Sequence, residues 1–444
     1  MDMIDFAARA YNQSFNIDPV IRSLLDTDVY KLLMLQFVWK WYPRIPVTFS
    51  LINRSRGVRL ADIIDEAELR DQLDHARSLR FTESETVWLA GNKLYGRRDL
   101  FEPDFIEYLR GYRLPEYQFE TKAGQYELTF SGPWVDVTLW EIYALTIVNE
   151  LRNRGRRSRD RGARTGLNRL SKYELDKLYA HAKTKLWAKL DRLRGADGLR
   201  ISDFGTRRRH SHLWQEWAIL AAAEELGAAF TGTSNAFFAH KHGFEAIGTN
   251  AHELPMVLAT LALDDAELKQ SQYTVLERWQ QTYAGALLVM LPDTYGSTQF
   301  LRDAPDWAKK WTGIRIDSKD PFVAAEEAIA WWTDHGCDPC DKRILFSDGL
   351  DVGQILALHE RFRGKVRDGY GWGTLLTNDF RGCHPSGRDD LDPISLVCKI
   401  TAANGRPAVK LSDNYLKASG PPEEIARYRA VFGTAGVENA PLVV

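Results

Sequence analysis

Four cysteines in 444 residues, Cys337, Cys340, Cys383 and Cys398, are too few for a disulfide framework. No apolar run approaches the roughly 20 residues needed to cross a bilayer. The first residues, Met1 to Phe15, lack the basic-then-apolar order of a secretory signal, so the expected location is the cytoplasm. With a formal net charge of −2 there is no global field to draw in nucleic acid or an anionic membrane, and any anion site must be local. No stretch is rich enough in Gly, Pro or Ser to read as a disordered linker. The chain is nevertheless too long for one ordinary core, and two folded units are expected.

From Leu199 onward the chain repeats a short apolar run, a polar turn and a helical stretch, the pattern of successive βα units. The turns are Gly205-Thr206-Arg207, Gly232-Thr233-Ser234-Asn235, Gly248-Thr249-Asn250-Ala251-His252, Pro292-Asp293-Thr294, Asp317-Ser318-Lys319-Asp320, Ser347-Asp348-Gly349-Leu350-Asp351 and, after a run from Val366 to Gly369, Tyr370-Gly371-Trp372-Gly373-Thr374. A closed parallel barrel gathers such turns at one mouth. Before this region, strand-like runs (Val47 to Ile52, Tyr126 to Phe130) flank a helical insertion from Leu60 to Asn92. After it, Ser395 to Thr401 and Pro407 to Ser412 bracket Asn404-Gly405, a strong hairpin signal. An antiparallel hairpin does not continue a parallel barrel. The expected fold is therefore α/β: an irregular parallel α/β barrel over 141–385, with an α+β unit from 1–140 that segment 386–444 returns to complete.

Three carboxylate- or glycine-bearing turns dominate the chemistry: Arg315-Ile316-Asp317, Ser347-Asp348-Gly349 and Gly371-Trp372-Gly373-Thr374. Exposed backbone N–H groups hold phosphate, and carboxylates grip ribose hydroxyls or Mg²⁺. Alone, each is an ordinary turn more often than a site; three in consecutive βα turns carry weight. Arg207-Arg208-Arg209 opposes the dipole of the helix it precedes unless an anion offsets it, so the triplet is read as phosphate-binding. His252 starts a helix beside Glu253, a carboxylate able to orient its ring, and would act as a nucleophile toward phosphorus.

These segments, in this order, resemble the nicotinate phosphoribosyltransferase family. The resemblance runs from Leu25-Asp26-Thr27-Asp28-Val29-Tyr30-Lys31 to about Lys417, through Phe49 to Arg54, Gly132 to Glu150, Asp203 to Arg209, Gly232 to Asn235, Gly248 to Glu253, Arg315 to Asp320, Ser347 to Asp351, Gly371 to Asp379 and Lys410-Leu411-Ser412-Asp413. It implies a type II phosphoribosyltransferase that joins nicotinate to phosphoribosyl pyrophosphate, uses Mg²⁺ and ATP, and pairs head-to-tail as a homodimer with shared active sites.

By the same resemblance His252 accepts a phosphoryl group from ATP, with Glu253 beside it. Phe204 and Arg207 meet the pyridine ring and its carboxylate, with Asp28 among the binding residues. Tyr30 and Arg54 reach in from the partner subunit. Arg315, Asp317 and Asp348 hold ribose, phosphate and metal, the last two as the Mg²⁺ ligands. Gly349 joins the substrate contacts, and Gly371, Gly373 and Thr374 receive the 5′-phosphate. Ser234 stands where some nicotinamide-using relatives carry an acid, which favours nicotinate over the amide. Where several members continue with Pro-Gly-Lys, this chain has Asn414-Tyr415-Leu416 before Lys417, and no catalytic role is carried beyond Lys410.

Competing readings are weaker. Cys337-Asp338-Pro339-Cys340 has metal-pair spacing, and Cys383-His384 would have to complete a zinc site. Leu261 to Asp265 lacks the phosphate loop that follows two acids in type I phosphoribosyltransferases. Seven Arg in the thirteen positions from Arg152 to Arg164 suit a nucleic-acid surface, but a solvated loop explains them at less cost. A non-catalytic nucleotide sensor on the same fold has no need of a phosphoryl-accepting histidine. Quinolinate would call for additional cations around the base.

Overall fold

A computed structural model of the chain describes residues 15–158 and 161–439. Arg159 and the side chain of Arg161, both in the arginine stretch, lie outside the described residues.

The strands in chain order are β1 (Pro46–Asn53), β2 (Gln118–Lys122), β3 (Gln125–Pro133), β4 (Ile201–Asp203), β5 (Phe230–Thr233), β6 (Val289–Met290), β7 (Gly313–Ile316), β8 (Arg343–Phe346), β9 (Arg367–Trp372), β10 (Leu396–Ala403) and β11 (Arg406–Pro407). The last six before β10 form one parallel sheet in the order β5-β4-β9-β8-β7-β6. In it β4, the first strand, pairs in parallel with β9, the last, which is the closing contact of a barrel. A single parallel bridge, Thr233 to Ala246, carries the sheet one segment past β5. Among the described residues the open seam lies between that segment and β6, and Asn250 Nδ2 crosses it by donating to Val289 O at 3.2 Å.

Several of the apolar runs that precede the turns form little strand. Before Gly248, Glu245 to Ile247 makes only the bridge at Ala246, and before Pro292 only Val289–Met290 of the run Ala286 to Leu291 is strand. The final run extends the other way: β9 continues to Trp372, so Gly371 is a strand residue and not part of a turn.

The second sheet is antiparallel, order β11-β10-β1-β3-β2. Alternate burial of Val47, Phe49 and Leu51 along β1 is the two-residue period of a strand with one face on the core. β1 sits between β3 and β10, with Phe49 opposite Phe130 and Ile400. Asn404 and Gly405 turn the β10–β11 hairpin at φ 51° and 72°, the left-handed conformation that a tight hairpin needs. Beyond Pro407 the chain leaves the sheet instead of extending the strand to Ser412. The helical insertion comprises Leu60–Ile63, Glu66–Ser78 and Glu83–Gly91, followed by the unanticipated helix Pro103–Gly111.

The helix Val29–Trp41 is buried without interruption from Val29 to Val38, with Lys31 and Gln36 enclosed among its apolar residues. It is tied to the barrel mouth by Val29 N donating to Ser234 O at 2.7 Å and by a bridge from Asp28 to Asn235. Among the described residues no helix is long and apolar enough to cross a membrane.

Candidate active site

The ends of β4, β5, β7, β8 and β9, together with the helix Val29–Trp41 and strand β10, enclose a cavity of about 240 Å³. Parallel strands point their carboxyl ends to one side, so the turns after them converge there. Phe204, Ser234, His252, Asp317, Asp348 and Gly373 all line it, from turns spread over nearly 170 residues of sequence. Asp28, Tyr30, Arg54, Arg207, Glu253, Arg315, Gly349 and Thr374 line it too. Gly371 does not. It lies beneath the ring of Phe204, where a Cβ would stand 2.4 Å from Cδ2, so the absence of a side chain there seats that ring.

At one end, Phe204 and Tyr30 are aromatic walls, and among the described residues the buried Tyr30 hydroxyl has no hydrogen-bond partner. Arg207 presents a guanidinium, 46% exposed, and meets Glu141 Oε1 at 3.3 Å. Beneath the turn, Asp203 accepts hydrogen bonds from Gly205 N (2.8 Å), Thr233 Oγ1 (2.7 Å) and Gln215 Nε2 (2.8 Å). Burial outweighs these bonds and pushes Asp203 up to about 6. Ser234 Oγ donates to Asp28 Oδ1 at 2.6 Å. The neutral hydroxyl at Ser234 therefore does not leave this wall free of acid. Burial raises the Asp28 pKa, which favours its uncharged form beside an anionic ligand.

At the other end, His252 Nε2 lies 2.7 Å from Asp293 Oδ1 and 3.0 Å from Lys410 Nζ. Asp293 Oδ2 accepts from Ser318 Oγ at 2.6 Å and from Lys410 Nζ at 3.2 Å. Burial works to raise Asp293, yet His252 and Lys410 hold it well below the usual carboxylate range. Burial lowers the His252 pKa, and Lys410 adds to that against the upward pull of Asp293, which favours the uncharged ring. The shorter Asp293 contact favours the tautomer with Nε2–H donated to that carboxylate over one in which Nε2 accepts from Lys410, and it leaves Nδ1 the lone pair that a phosphoryl acceptor needs.

The orienting carboxylate is Asp293, not Glu253. Glu253 points away from the ring, and its oxygens accept from Trp134 Nε1, Thr138 Oγ1 and Lys31 Nζ. The turn Pro292-Asp293-Thr294 belongs to the same series as the others, so its place after a strand was the available signal.

The wall between these ends is crowded with cations. Arg208 is pushed down to about 10 by burial and by neighbouring Arg207 and Arg54. Lys399, on β10, is held well below its usual value by burial and by Lys410 and Arg54. Lys417 reaches in to pair with Asp348 and donates to Asp317 O at 3.0 Å. Cations at this density are costly where, among the described residues, only Lys417 of the three has a carboxylate partner, and a bound phosphate or pyrophosphate would offset them. Lys399 and Lys417 carry no role in the sequence reading. Lys399 sits in a strand whose cavity face depends on its pairing, and Lys417 lies beyond the matching motif.

Arg209 is a correction of the opposite kind. It is fully buried and holds Asp26 Oδ1 at 2.6 Å and Glu150 Oε1 at 2.7 Å, so it braces the fold and does not face a substrate. Burial works against ionised Asp26, yet Arg209 and His212 hold its pKa far below the usual value. We expect Arg209→Met to cost about 3–5 kcal/mol by stranding two buried carboxylates, read as a lower denaturation midpoint. Because the folded Asp26 pKa is depressed, its stabilising contribution is complete above about pH 4 and fades as pH falls below that.

Arg152 and Arg154 are buried. Arg154 pairs with Asp18, and Arg156 Nη2 donates to Ala61 O at 2.6 Å. These three spend their charge inside the fold.

Sequence profiles of the nicotinate phosphoribosyltransferase family match residues 199–435, and those of the family's N-terminal domain match residues 25–149. The chain belongs to the nicotinate phosphoribosyltransferase family. It is similar to the solved nicotinate phosphoribosyltransferase of Vibrio cholerae, with 30% identity, a TM-score of 0.80 and 95% of each chain covered. The Porphyromonas gingivalis enzyme shows 28% identity and a TM-score of 0.79 over 93% of this chain and all 100% of its own. A putative nicotinate phosphoribosyltransferase from Saccharomyces cerevisiae shows 27% identity and a TM-score of 0.79, covering 94% of this chain and 100% of that one.

Within this family member, Tyr30 and Arg54 enter the cavity from the same chain that supplies Phe204 and Arg207. The expectation that a partner subunit delivers them is thus corrected: the helix Val29–Trp41 docks on its own barrel through Ser234 and Asn235.

Proposed function

We propose that the chain transfers the 5-phosphoribosyl group of phosphoribosyl pyrophosphate to the ring nitrogen of nicotinate, coupled to ATP through phosphorylation of His252. The observation that carries this reading is one cavity holding an aromatic and Arg207 base end, a cationic wall, and a histidine oriented by Asp293. The pyridine nitrogen attacks C1 of the ribose as the C1–O bond to pyrophosphate breaks, and the departing oxygen takes the electron pair. Arg208, Lys399 and Lys417 stabilise that departing charge, while Phe204 and Tyr30 hold the ring in line for attack. Arg315 and Thr374 serve the ribose and 5′-phosphate.

Asp317 and Asp348 suit Mg²⁺, because hard carboxylate oxygens at an open rim are its preferred protein ligands. His252, Asp293 and Asp317 also cluster within 4.8 Å, but Lys410 Nζ already fills the cationic position between His252 and Asp293. Bound Mg²⁺ would neutralise pyrophosphate charge.

In the coupling step His252 attacks the γ-phosphorus of ATP, ADP leaves, and water later releases phosphate from the histidine. This favours a state that grips the ribosyl donor, and the hydrolysis draws the transfer forward. The product, nicotinate mononucleotide, fits a salvage route to pyridine nucleotides in the cytoplasm.

Incubation with γ-labelled ATP tests the coupling. The expected result is an acid-labile, base-stable label that disappears in His252→Ala; a label that persists in that variant, or none in the wild type, would refute it.

A further inference from the structure

Lys31 has no solvent exposure and lies behind the cavity wall. Its ammonium is held between Glu141 Oε2, at 2.7 Å, and Glu253 Oε2, and it donates to Thr138 Oγ1 at 3.2 Å. Burial alone would lower its pKa, but the two carboxylates hold it above the usual lysine value. Glu141 divides its charge: one oxygen takes Lys31, and the other meets Arg207 Nη1 at 3.3 Å. That second contact is long for a charge-assisted bond, which ordinarily spans about 2.7–2.9 Å.

Four charges therefore alternate along one row, with Glu253, Lys31 and Glu141 buried and Arg207 half exposed at the cavity end, and they sum to zero. Without the Lys31 ammonium, Glu141 would have one cation left. In a setting of low effective dielectric their attraction is strong, so Arg207 would close onto Glu141 and turn its donors away from the cavity. Glu141 would also stand unneutralised near any bound anion.

We propose that Lys31 is a positioning residue for base recognition, holding Glu141 so that Arg207 stays free to bind a pyridine carboxylate in preference to the amide. The proposal rests on the assignment of Arg207 to the base end made above.

The test compares wild type, Lys31→Met and the double variant Lys31→Met/Glu141→Gln, using nicotinate KM and the inhibition constant of nicotinamide, with thermal melts to establish folding. Lys31→Met should raise nicotinate KM by about tenfold or more, the scale of a broken buried charge pair, without a matching change in kcat or in nicotinamide affinity. The added Glu141→Gln change should restore nicotinate KM, because it removes the carboxylate that captures Arg207. A purely structural lysine would not be rescued in this way.

Equal weakening toward both bases, an unmoved nicotinate KM, or a folded double variant without recovery would overturn the proposal. Should Lys31→Met fail to fold, Glu141→Gln alone decides: its preference for acid over amide should increase, and an unchanged or smaller preference overturns the idea. A wild-type protein that uses neither base would overturn the base assignment itself, whereas normal nicotinate turnover with a failed rescue removes only the role given to Lys31.

Discussion

Asp293→Asn should give a folded enzyme that no longer responds to ATP. Asp293 fixes His252 through a 2.7 Å contact and is itself held by Ser318 and Lys410. An amide in its place keeps the shape but permits the other tautomer, with Nδ1 protonated and unable to attack phosphorus. Losing a correctly protonated, positioned group costs roughly 10²–10⁴-fold, so ATP-stimulated turnover should fall at least a hundredfold while any ATP-independent rate persists.

The pH dependence has a defined sign. Burial lowers the His252 pKa, so wild-type coupling should survive acidification past pH 6.5, the usual histidine value. It should fail only when the pH reaches the depressed pKa. Asp293 pulls the His252 pKa upward, so the Asn variant should not regain coupling at any higher pH. Steady-state ATP hydrolysis as a function of pH checks both statements.

Gly371→Ala should disable the base end with little change to the rest of the cavity. The added Cβ would stand 2.4 Å from Phe204 Cδ2 and 2.6 Å from Cε2, distances that no packed side chain tolerates. The ring must move, because Gly371 is locked in β9 opposite Ser202 of β4. Displacing a positioning group by about 1 Å costs on the order of a hundredfold in rate. We expect kcat/KM for nicotinate to fall by about that factor, with KM for phosphoribosyl pyrophosphate nearly constant. A rise confined to the phosphoribosyl pyrophosphate KM would return Gly371 to the phosphate role that its sequence context suggests.

The convergence of the site was legible because each polar turn follows an apolar run, and a parallel barrel converts that order into a shared mouth. Direction within a turn was not. Arg207, Arg208 and Arg209 are consecutive in sequence, yet one faces the base end, one the cationic wall and one the buried Asp26–Glu150 pair. Only backbone geometry separates them.

Nothing local in the sequence marks Lys31 and Glu141 as partners, because helices 110 residues apart in sequence bring them to 2.7 Å. Adjacency misled in the case of Glu253. The residue after a helix-starting histidine points around the helix and away from the ring, so the orienting carboxylate came from a different strand end. Whether the Val29–Trp41 helix docks on its own barrel or on another copy is likewise a question of chain path, which local pattern does not encode.

The most direct measurement of the central claim is pyrophosphate release from phosphoribosyl pyrophosphate, Mg²⁺ and ATP, with nicotinate or nicotinamide as the acceptor. The account predicts release that depends on nicotinate, is stimulated by ATP, and loses that stimulation in His252→Ala. Folded wild-type protein that releases no pyrophosphate with either base would contradict it.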